Sequence, residues 1–414
     1  MGTIGYGEFS RSIHGRYAGK RAPLDVSIEV TNRCPLQCVQ CYNNLPVNDK
    51  EARLRELSKE EHFRILDELA ELGCLWLLYT GGEIFARPDF LEIYTYAKQK
   101  GFLVTLFTNA TLITKEIADY LVEWPPFSIE VTIYGRTKEV YEAVTGIAGS
   151  YERCLRGIET LRRRGLPLKL KTVANSINRH EVHEMKRFAE EELGLPFKFD
   201  GVLNPRIDSS QAPLAFRLSA AEVVGFDLQM PRAADEYKRL AERESGEAED
   251  ADNRLYDCAG GAYSFAVDAE GRMSLCVLSR KETYDVRGGS LREGWEQFVA
   301  GLRKRTLTRS SRCSGCRIRS LCNMCPAFGE LESGDAEGTV EFLCEVAHLR
   351  AMSLGCEIPR HGDCPYCADG DRYAALRESA ERIRDGLGSC KSQRRLPIVR
   401  EIAVKHEERC SSCK

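Results

Sequence analysis

Three observations predict an α/β chain with a parallel, barrel-like first half and a cysteine-rich second half. From about residue 25 to 203, short apolar runs alternate with longer amphipathic segments, the pattern of repeated strand–helix units around a parallel sheet. Beyond Cys258, glycine and cysteine become dense while apolar periodicity weakens, so metal ligation is expected to hold that part together more than a large core does. The 18 cysteines cluster at C-x2-C and C-x3-C intervals, as thiolate metal sites do.

Six strands are expected, at 25–31 (DVSIEVT), 75–80 (LWLLYT), 102–108 (FLVTLFT), 127–134 (FSIEVTIY), 168–174 (LKLKTVA) and 197–203 (FKFDGVL). Between them, SKEEHFRILDELAELG opens on Ser58 with Glu61 three residues later, the reciprocal signature of a helix start. Further helices are expected near Pro88, Thr114, Tyr151 and His180. The chain then divides into a lead-in (1–24), the barrel (25–215), a charged helical connector (216–257), a cysteine-rich domain (258–356) and a cysteine-containing tail (357–414). The acidic run ERESGEAEDAD in the connector reads as a solvated surface. YSFAVDA and RMSLCVL, around an Ala-Glu-Gly turn, form a hairpin that presents Cys276, with short helices following.

Composition removes several classes of function. With 59 basic and 62 acidic residues spread along the chain, there is no field for a nucleic-acid backbone. No run approaches 18 apolar residues, and MGTIGYGEFSRSIHGRY lacks the apolar core of a signal peptide, so a cytoplasmic protein without a membrane partner is expected. Cysteines in that reducing compartment are poor candidates for disulfides.

RCPLQCVQCYNN (33–44) sets Cys34, Cys38 and Cys41 within eight positions, with no fourth cysteine near. A cubane iron–sulfur cluster needs one ligand per iron, so three thiolates leave one iron open to something other than the protein. A structural zinc site would want a fourth Cys or His close by, and His62 is distant, within a helix. The C-x3-C-x2-C spacing directly after the first strand resembles the radical S-adenosylmethionine (radical SAM) family. That resemblance implies a partial (β/α)6 TIM-like barrel, a 4Fe–4S cluster on the three cysteines, and S-adenosylmethionine chelated by the open iron.

Other residues fit the resemblance at successive strand ends, where a parallel barrel gathers its ligands. Gly81, Gly82 and Glu83 look like the family motif for the cofactor's methionine amino group: glycines allow close backbone approach and the carboxylate offers acceptors to an ammonium. Thr108 and Asn109 after the third strand, Thr132 after the fourth and Lys171 on the fifth are similarly placed for its carboxylate and ribose. A strand lysine can also simply snorkel. The chain departs from the pattern at Ile84, where relatives often have Pro, and at Gln40, where they have an aromatic or His.

Cys258 is followed after twelve residues by GRMSLC (271–276), then by CSGCRIRSLCNMC with Cys313, Cys316, Cys322 and Cys325, and by Cys344. This series resembles the SPASM extension of radical SAM enzymes, with a last internal gap of two residues instead of three. The resemblance assigns Cys313, Cys316, Cys322 and Cys344 to one auxiliary 4Fe–4S cluster and Cys258, Cys276 and Cys325 to another, three clusters in all. A pair of zinc ribbons is the alternative, against which stand seven cysteines with no flanking His and the upstream radical SAM motif. The second auxiliary set again counts only three thiolates, so its open iron is expected to take a substrate thiolate, water, a carboxylate such as Asp257, or a tail cysteine. CPYC (Cys364, Cys367) and CSSC (Cys410, Cys413) lie outside both resemblances; one zinc site is the favoured reading, beside a redox dithiol pair or four surface thiols. Cys74, Cys154, Cys356 and Cys390 are read as buried structural thiols.

The family cleaves S-adenosylmethionine to a 5'-deoxyadenosyl radical, and SPASM members mostly modify peptides or proteins. The expectation is therefore an oxidoreductase that matures a ribosomally made precursor peptide by a thioether or carbon–carbon crosslink or a related oxidation. It would be supplied with electrons by a flavodoxin- or ferredoxin-type donor. A sulfatase-maturase role is the alternative, although Val277 stands where those relatives carry Asp after the hairpin cysteine. A non-catalytic iron–sulfur electron carrier is the third reading. Only 33 residues precede Cys34, fewer than a small winged-helix recognition domain needs, so a separate protein is expected to bind the precursor's leader. Fluorescence anisotropy with a labelled leader should accordingly show weak binding to this chain alone, and tight binding would contradict the expectation.

Overall fold

The computed structural model describes residues 5–244, 253–313 and 315–389. These fall into two compact units: the first holds residues 1–172, 184–198 and 256–305, the second 173–183, 199–255 and 306–414.

All six expected strands form: β1 Asp25–Thr31, β2 Trp76–Gly81, β3 Leu103–Thr108, β4 Ser128–Thr132, β5 Leu168–Val173 and β6 Phe197–Asp200. They lie side by side in chain order, with parallel register from Val26 opposite Leu77 to Thr132 opposite Lys171. Val26, Ile28, Leu77, Tyr79, Val104, Leu106, Ile129, Val131 and Leu170 stand in register on one face of the sheet and are buried there. Burying each such aliphatic chain is worth roughly 1.5–3 kcal/mol, which sets the register firmly. The hairpin β7 Ser264–Val267 and β8 Arg272–Ser274 also forms, but it extends this same sheet: β7 pairs in parallel with the outer edge of β1. The stretch from Cys258 to Cys276 thus belongs to the barrel unit, not to a separate cysteine-rich domain.

Helix Lys59–Glu71 starts where expected, with both hydrogen bonds of the Ser58–Glu61 capping box made. Helices Phe90–Gln99, Lys115–Glu123, Ser150–Arg162 and Val182–Arg187 answer the other four starts. Tyr6–Arg16 and Lys138–Thr145 are helices the sequence reading did not anticipate.

The second unit has more core than its sequence promised. Helix Ala220–Gln229, expected as a charged connector, buries Val223, Val224, Phe226 and Leu228, and helix Pro231–Glu244 follows it. Most of the acidic run lies outside the described residues. Helix Glu341–Ser353 is buried nearly all round, so it lacks the one-sided apolar stripe that periodicity detects. Ile318, Leu321, Ala347 and Ala351 form a core cluster. Beside it the buried Arg350 guanidinium donates to Asp227 (2.5 Å) and lies 3.9 Å over the Tyr237 ring. Removing one partner of such a buried pair costs about 3–5 kcal/mol. Helix Tyr373–Ser389 runs within the segment assigned to a tail. Among the remaining thiols Cys74 and Cys154 are buried, Cys356 is half-buried and Cys390 lies outside the described residues.

His62 is buried on helix Lys59–Glu71, and its Nε2 accepts from Arg87 at 3.2 Å, which fixes it as a neutral acceptor and not a metal ligand of the cysteine loop. Burial, reinforced by the Arg87 charge, lowers its pKa to about 3. A base depressed from about 6.5 to about 3 gives stability that is complete above pH 6.5 and is lost as pH falls toward 3, at about 1.4 kcal/mol per pH unit. In denaturant titrations across that window, His62→Gln should remove this part of the acid sensitivity; an unchanged slope would contradict the assignment.

Candidate functional site

The opening motif leaves the end of β1 and makes a short parallel pairing, Arg33–Cys34 with Leu45–Pro46. Arg33 anchors it through a buried bidentate pair with Glu56, at 2.7 and 3.0 Å. The loop is also tied by its backbone, since Gln37 N–H and Val39 N–H donate to the Thr145 and Val144 carbonyls. Cys34 is buried, and Cys38 and Cys41 are half-buried.

The Gly-Gly-Glu turn grips this loop at the end of β2. Gly82 N–H donates to the Thr31 carbonyl at 2.7 Å and Glu83 N–H to that of Arg33 at 3.0 Å. A Cβ on Gly81 would lie 2.2 Å from the Thr31 oxygen; one on Gly82 would lie 2.5 Å from that of Arg33 and 2.6 Å from that of Asn32. With φ at +125° as well, Gly81 is excluded to other residues twice over. Glu83 then reaches across to β3: its carboxylate accepts from the Thr108 hydroxyl and the Asn109 N–H, both at 2.7 Å. Asn109 Nδ2 in turn points at Cys34 Sγ, 3.5 Å away. Burial raises the Glu83 pKa to about 7 despite these donors.

Cys34 and Cys38 resist ionisation as free thiols. Burial and then the Glu83 charge push Cys34 up to about 12, and burial followed by the Cys41 and Cys34 thiols pushes Cys38 well above its usual range. Such thiols become thiolates when a cation takes up their charge. Tyr134, just beyond β4, hydrogen-bonds Cys38. The Gln40 amide, next to Cys41, is buried with neither its nitrogen nor its oxygen partnered among the described residues. An orphaned amide beside a three-thiol loop fits a bound group carrying its own polar atoms. The residues therefore fit both an iron–sulfur cluster and a polar cofactor.

Thr132 and Lys171 are neighbours in register on β4 and β5. Lys171 Nζ lies 3.5 Å from Glu130 and over the Phe107 ring, and burial lowers its pKa to about 7, so it already has partners within the sheet.

The sequence reading missed Glu29. This fully buried carboxylate on β1 accepts from Tyr42 and Asn43, both at 2.8 Å, and from Arg280 at 2.5 Å; Arg280 also pairs with Asp268 at 3.2 Å. One carboxylate thus joins the loop after Cys41 to the loop after Cys276. The available signal was an acidic residue inside the expected first strand.

Cys258 and Cys276 are close enough that Cys258 contributes to the upward pKa shift of Cys276, after burial. Cys325 belongs to the second compact unit. There, Cys313, Cys316, Cys322, Cys325 and Cys344 line one cavity. Burial and then neighbouring thiols raise Cys344, with Cys364, Cys322 and Cys313 among those neighbours. Cys410 and Cys413 lie outside the described residues.

Residues 28–189 match the radical SAM superfamily model, and the chain is an enzyme carrying a radical SAM domain, the class that works with S-adenosylmethionine and a 4Fe–4S cluster. It is 26% identical over 346 residues to AdoMet-dependent heme synthase of Methanosarcina barkeri, covering 76% of this chain and 94% of that one. It is 34% identical over 158 residues to PqqA peptide cyclase of Rhodopseudomonas palustris, covering 38% of this chain but 41% of the cyclase. Streptococcus suis SuiB shares the fold, both bound to S-adenosylmethionine (TM-score 0.58, 14% identity, 83% and 82% coverage) and bound to its precursor peptide SuiA (0.59, 15%, 81% and 80%). No helix among the described residues is long and apolar enough to cross a membrane.

The glycine grip carries a direct prediction. Gly82→Ala must displace the backbone entering Cys34, so the purified protein should lose about four irons per chain together with S-adenosylmethionine cleavage. Full iron content with wild-type cleavage would contradict the role given to Gly82.

Proposed function

We propose that this enzyme modifies a peptide by radical chemistry, and that Cys34, Cys38 and Cys41 hold the cluster that initiates it. When bound, the cluster and S-adenosylmethionine supply a 5'-deoxyadenosyl radical able to take hydrogen from an unactivated carbon. The chain's own residues orient and enclose. Asn109 fixes the Cys34 sulfur, Tyr134 fixes that of Cys38, and the Gly81–Gly82 backbone sets the loop's height above the strand ends. Glu83, positioned by its Thr108 and Asn109 partners, would offer its carboxylate to a cofactor ammonium, and Thr132 and Lys171 would continue the row of cofactor contacts on the next two strands. Cys313, Cys316, Cys322 and Cys344, and separately Cys258, Cys276 and Cys325, are the proposed ligands of two auxiliary 4Fe–4S clusters. A small redox protein would donate electrons.

The observation that carries the peptide assignment is the 34% identity over 158 residues to a peptide cyclase. A second reading, a porphyrin substrate, is favoured by one observation: the heme synthase aligns over 94% of its length, beyond the barrel alone. One experiment separates them. Reduced, anaerobic protein should convert S-adenosylmethionine to methionine and 5'-deoxyadenosine, and the Cys34→Ala/Cys38→Ala/Cys41→Ala variant should not. Given a co-encoded short peptide with Cys, Tyr or Trp, mass spectrometry should show loss of hydrogen from the peptide. Consumption of an iron–porphyrin with the peptide untouched would transfer the assignment to the second reading.

A further inference from the structure

The second compact unit brings together four metal-binding side chains that belong to neither resemblance as a set. His348, His361, Cys364 and Cys367 are all buried, and one ligand atom from each lies within 4.8 Å of all the others. Cys364 and Cys367 form a tight knuckle: Cys364 N–H donates to the His361 carbonyl at 3.3 Å and Cys367 N–H to the Cys364 carbonyl at 3.4 Å. His348 arrives from helix Glu341–Ser353, with Nε2 3.4 Å from Cys364 Sγ and 3.6 Å from Cys367 Sγ. Cys367 Sγ is also 3.3 Å from His361 Nδ1 and 3.9 Å from its Nε2.

These spacings suit a single ion. Tetrahedral zinc with Zn–S near 2.3 Å and Zn–N near 2.0–2.1 Å sets sulfur and nitrogen about 3.6 Å apart, and the three separations made by the two Nε2 atoms, 3.4, 3.6 and 3.9 Å, lie close to that value. In a two-iron Cys2His2 cluster the histidines and cysteines sit on different irons, whereas here one His348 nitrogen contacts both sulfurs.

The hydrogen bonds made by the far ring nitrogens support the same answer. His348 Nδ1 is 2.7 Å from the Cys344 carbonyl, which can only accept, so Nδ1 carries the proton and Nε2 presents its lone pair to the two sulfurs. His361 Nδ1 lies 3.2 Å from the Pro359 carbonyl, which leaves its Nε2 as the ligand atom by the same rule.

We propose that His348, His361, Cys364 and Cys367 bind one zinc ion in a closed, four-ligand structural site. Four protein ligands leave no open position, so the ion braces and does not catalyse. It ties the 359–367 loop to the helix that carries Cys344, one turn before His348. The Cys344 sulfur lies 3.7 Å from Nδ1, on the other side of the imidazole from the zinc-facing nitrogen. Two histidines from the described residues thereby replace the Cys410 and Cys413 expected to complete the site.

The test uses full-length protein purified anaerobically from zinc-supplemented cells, read by metal analysis and zinc-edge X-ray absorption. The wild type should hold about one zinc per chain in a shell of two sulfurs and two nitrogens. Cys410→Ser/Cys413→Ser and the Cys34→Ala/Cys38→Ala/Cys41→Ala variant should keep it; Cys364→Ser/Cys367→Ser and His361→Ala should lose it at least tenfold. Zinc-free wild type, a four-sulfur shell, or zinc loss from Cys410→Ser/Cys413→Ser would overturn the proposal. If the Cys364/Cys367 variant does not accumulate, the wild-type and Cys410/Cys413 spectra still decide between the two ligand sets.

Discussion

The site depends on a contact from which side chains are excluded. At Gly81 and Gly82 the end of β2 lies against the carbonyls of Thr31, Asn32 and Arg33, closer than any Cβ allows. Two backbone hydrogen bonds close that approach, from Gly82 to Thr31 and from Glu83 to Arg33. The turn therefore sets the path of the chain into Cys34. Because Glu83 immediately follows, the same contact fixes where its buried carboxylate meets Thr108 and Asn109, and through Asn109 where the Cys34 sulfur lies. Three successive strands are linked by one turn, without a long side chain in the linkage except the acid itself.

A second buried acid performs a related task on the other side of the loop. Glu29 joins Tyr42 and Asn43 to Arg280, so the segment following Cys41 and the segment following Cys276 share one anchor within the barrel unit. Leaving a charge uncompensated in such a place costs several kcal/mol, so each donor holds its loop in position as well as satisfying the carboxylate. The hairpin's pairing with β1 brings Arg280 to this point.

Much of this was legible in the sequence because it is local. Strand runs, the Ser58–Glu61 box and the three-cysteine interval are each read within a dozen residues, and the strands formed within a few residues of their expected ends. What escaped depends on distance in the chain or on burial from every side. Glu29 and Arg280 are 251 positions apart, and neither alone announces a pair. His348 sits 16 positions before Cys364 on another element, so no spacing rule links them. Helix Glu341–Ser353 is buried around its circumference and offers no stripe, which is why a metal-held region was expected where a core exists. Helix Lys138–Thr145 carried its own signals, Thr137 as N-cap and Gly146 at φ +68° as C-cap, but spans only two turns.

Cys34, Cys38 and Cys41 are proposed to hold a cluster with one iron left for S-adenosylmethionine. Electron paramagnetic resonance of the reduced, full-length protein tests it most directly, recorded with and without the cofactor and before any substrate is added. S-adenosylmethionine should shift one signal, that signal should be missing from the Cys34→Ala/Cys38→Ala/Cys41→Ala variant, and any other signals should not move. Spectra that S-adenosylmethionine leaves unchanged, or that shift equally in the variant, would contradict it.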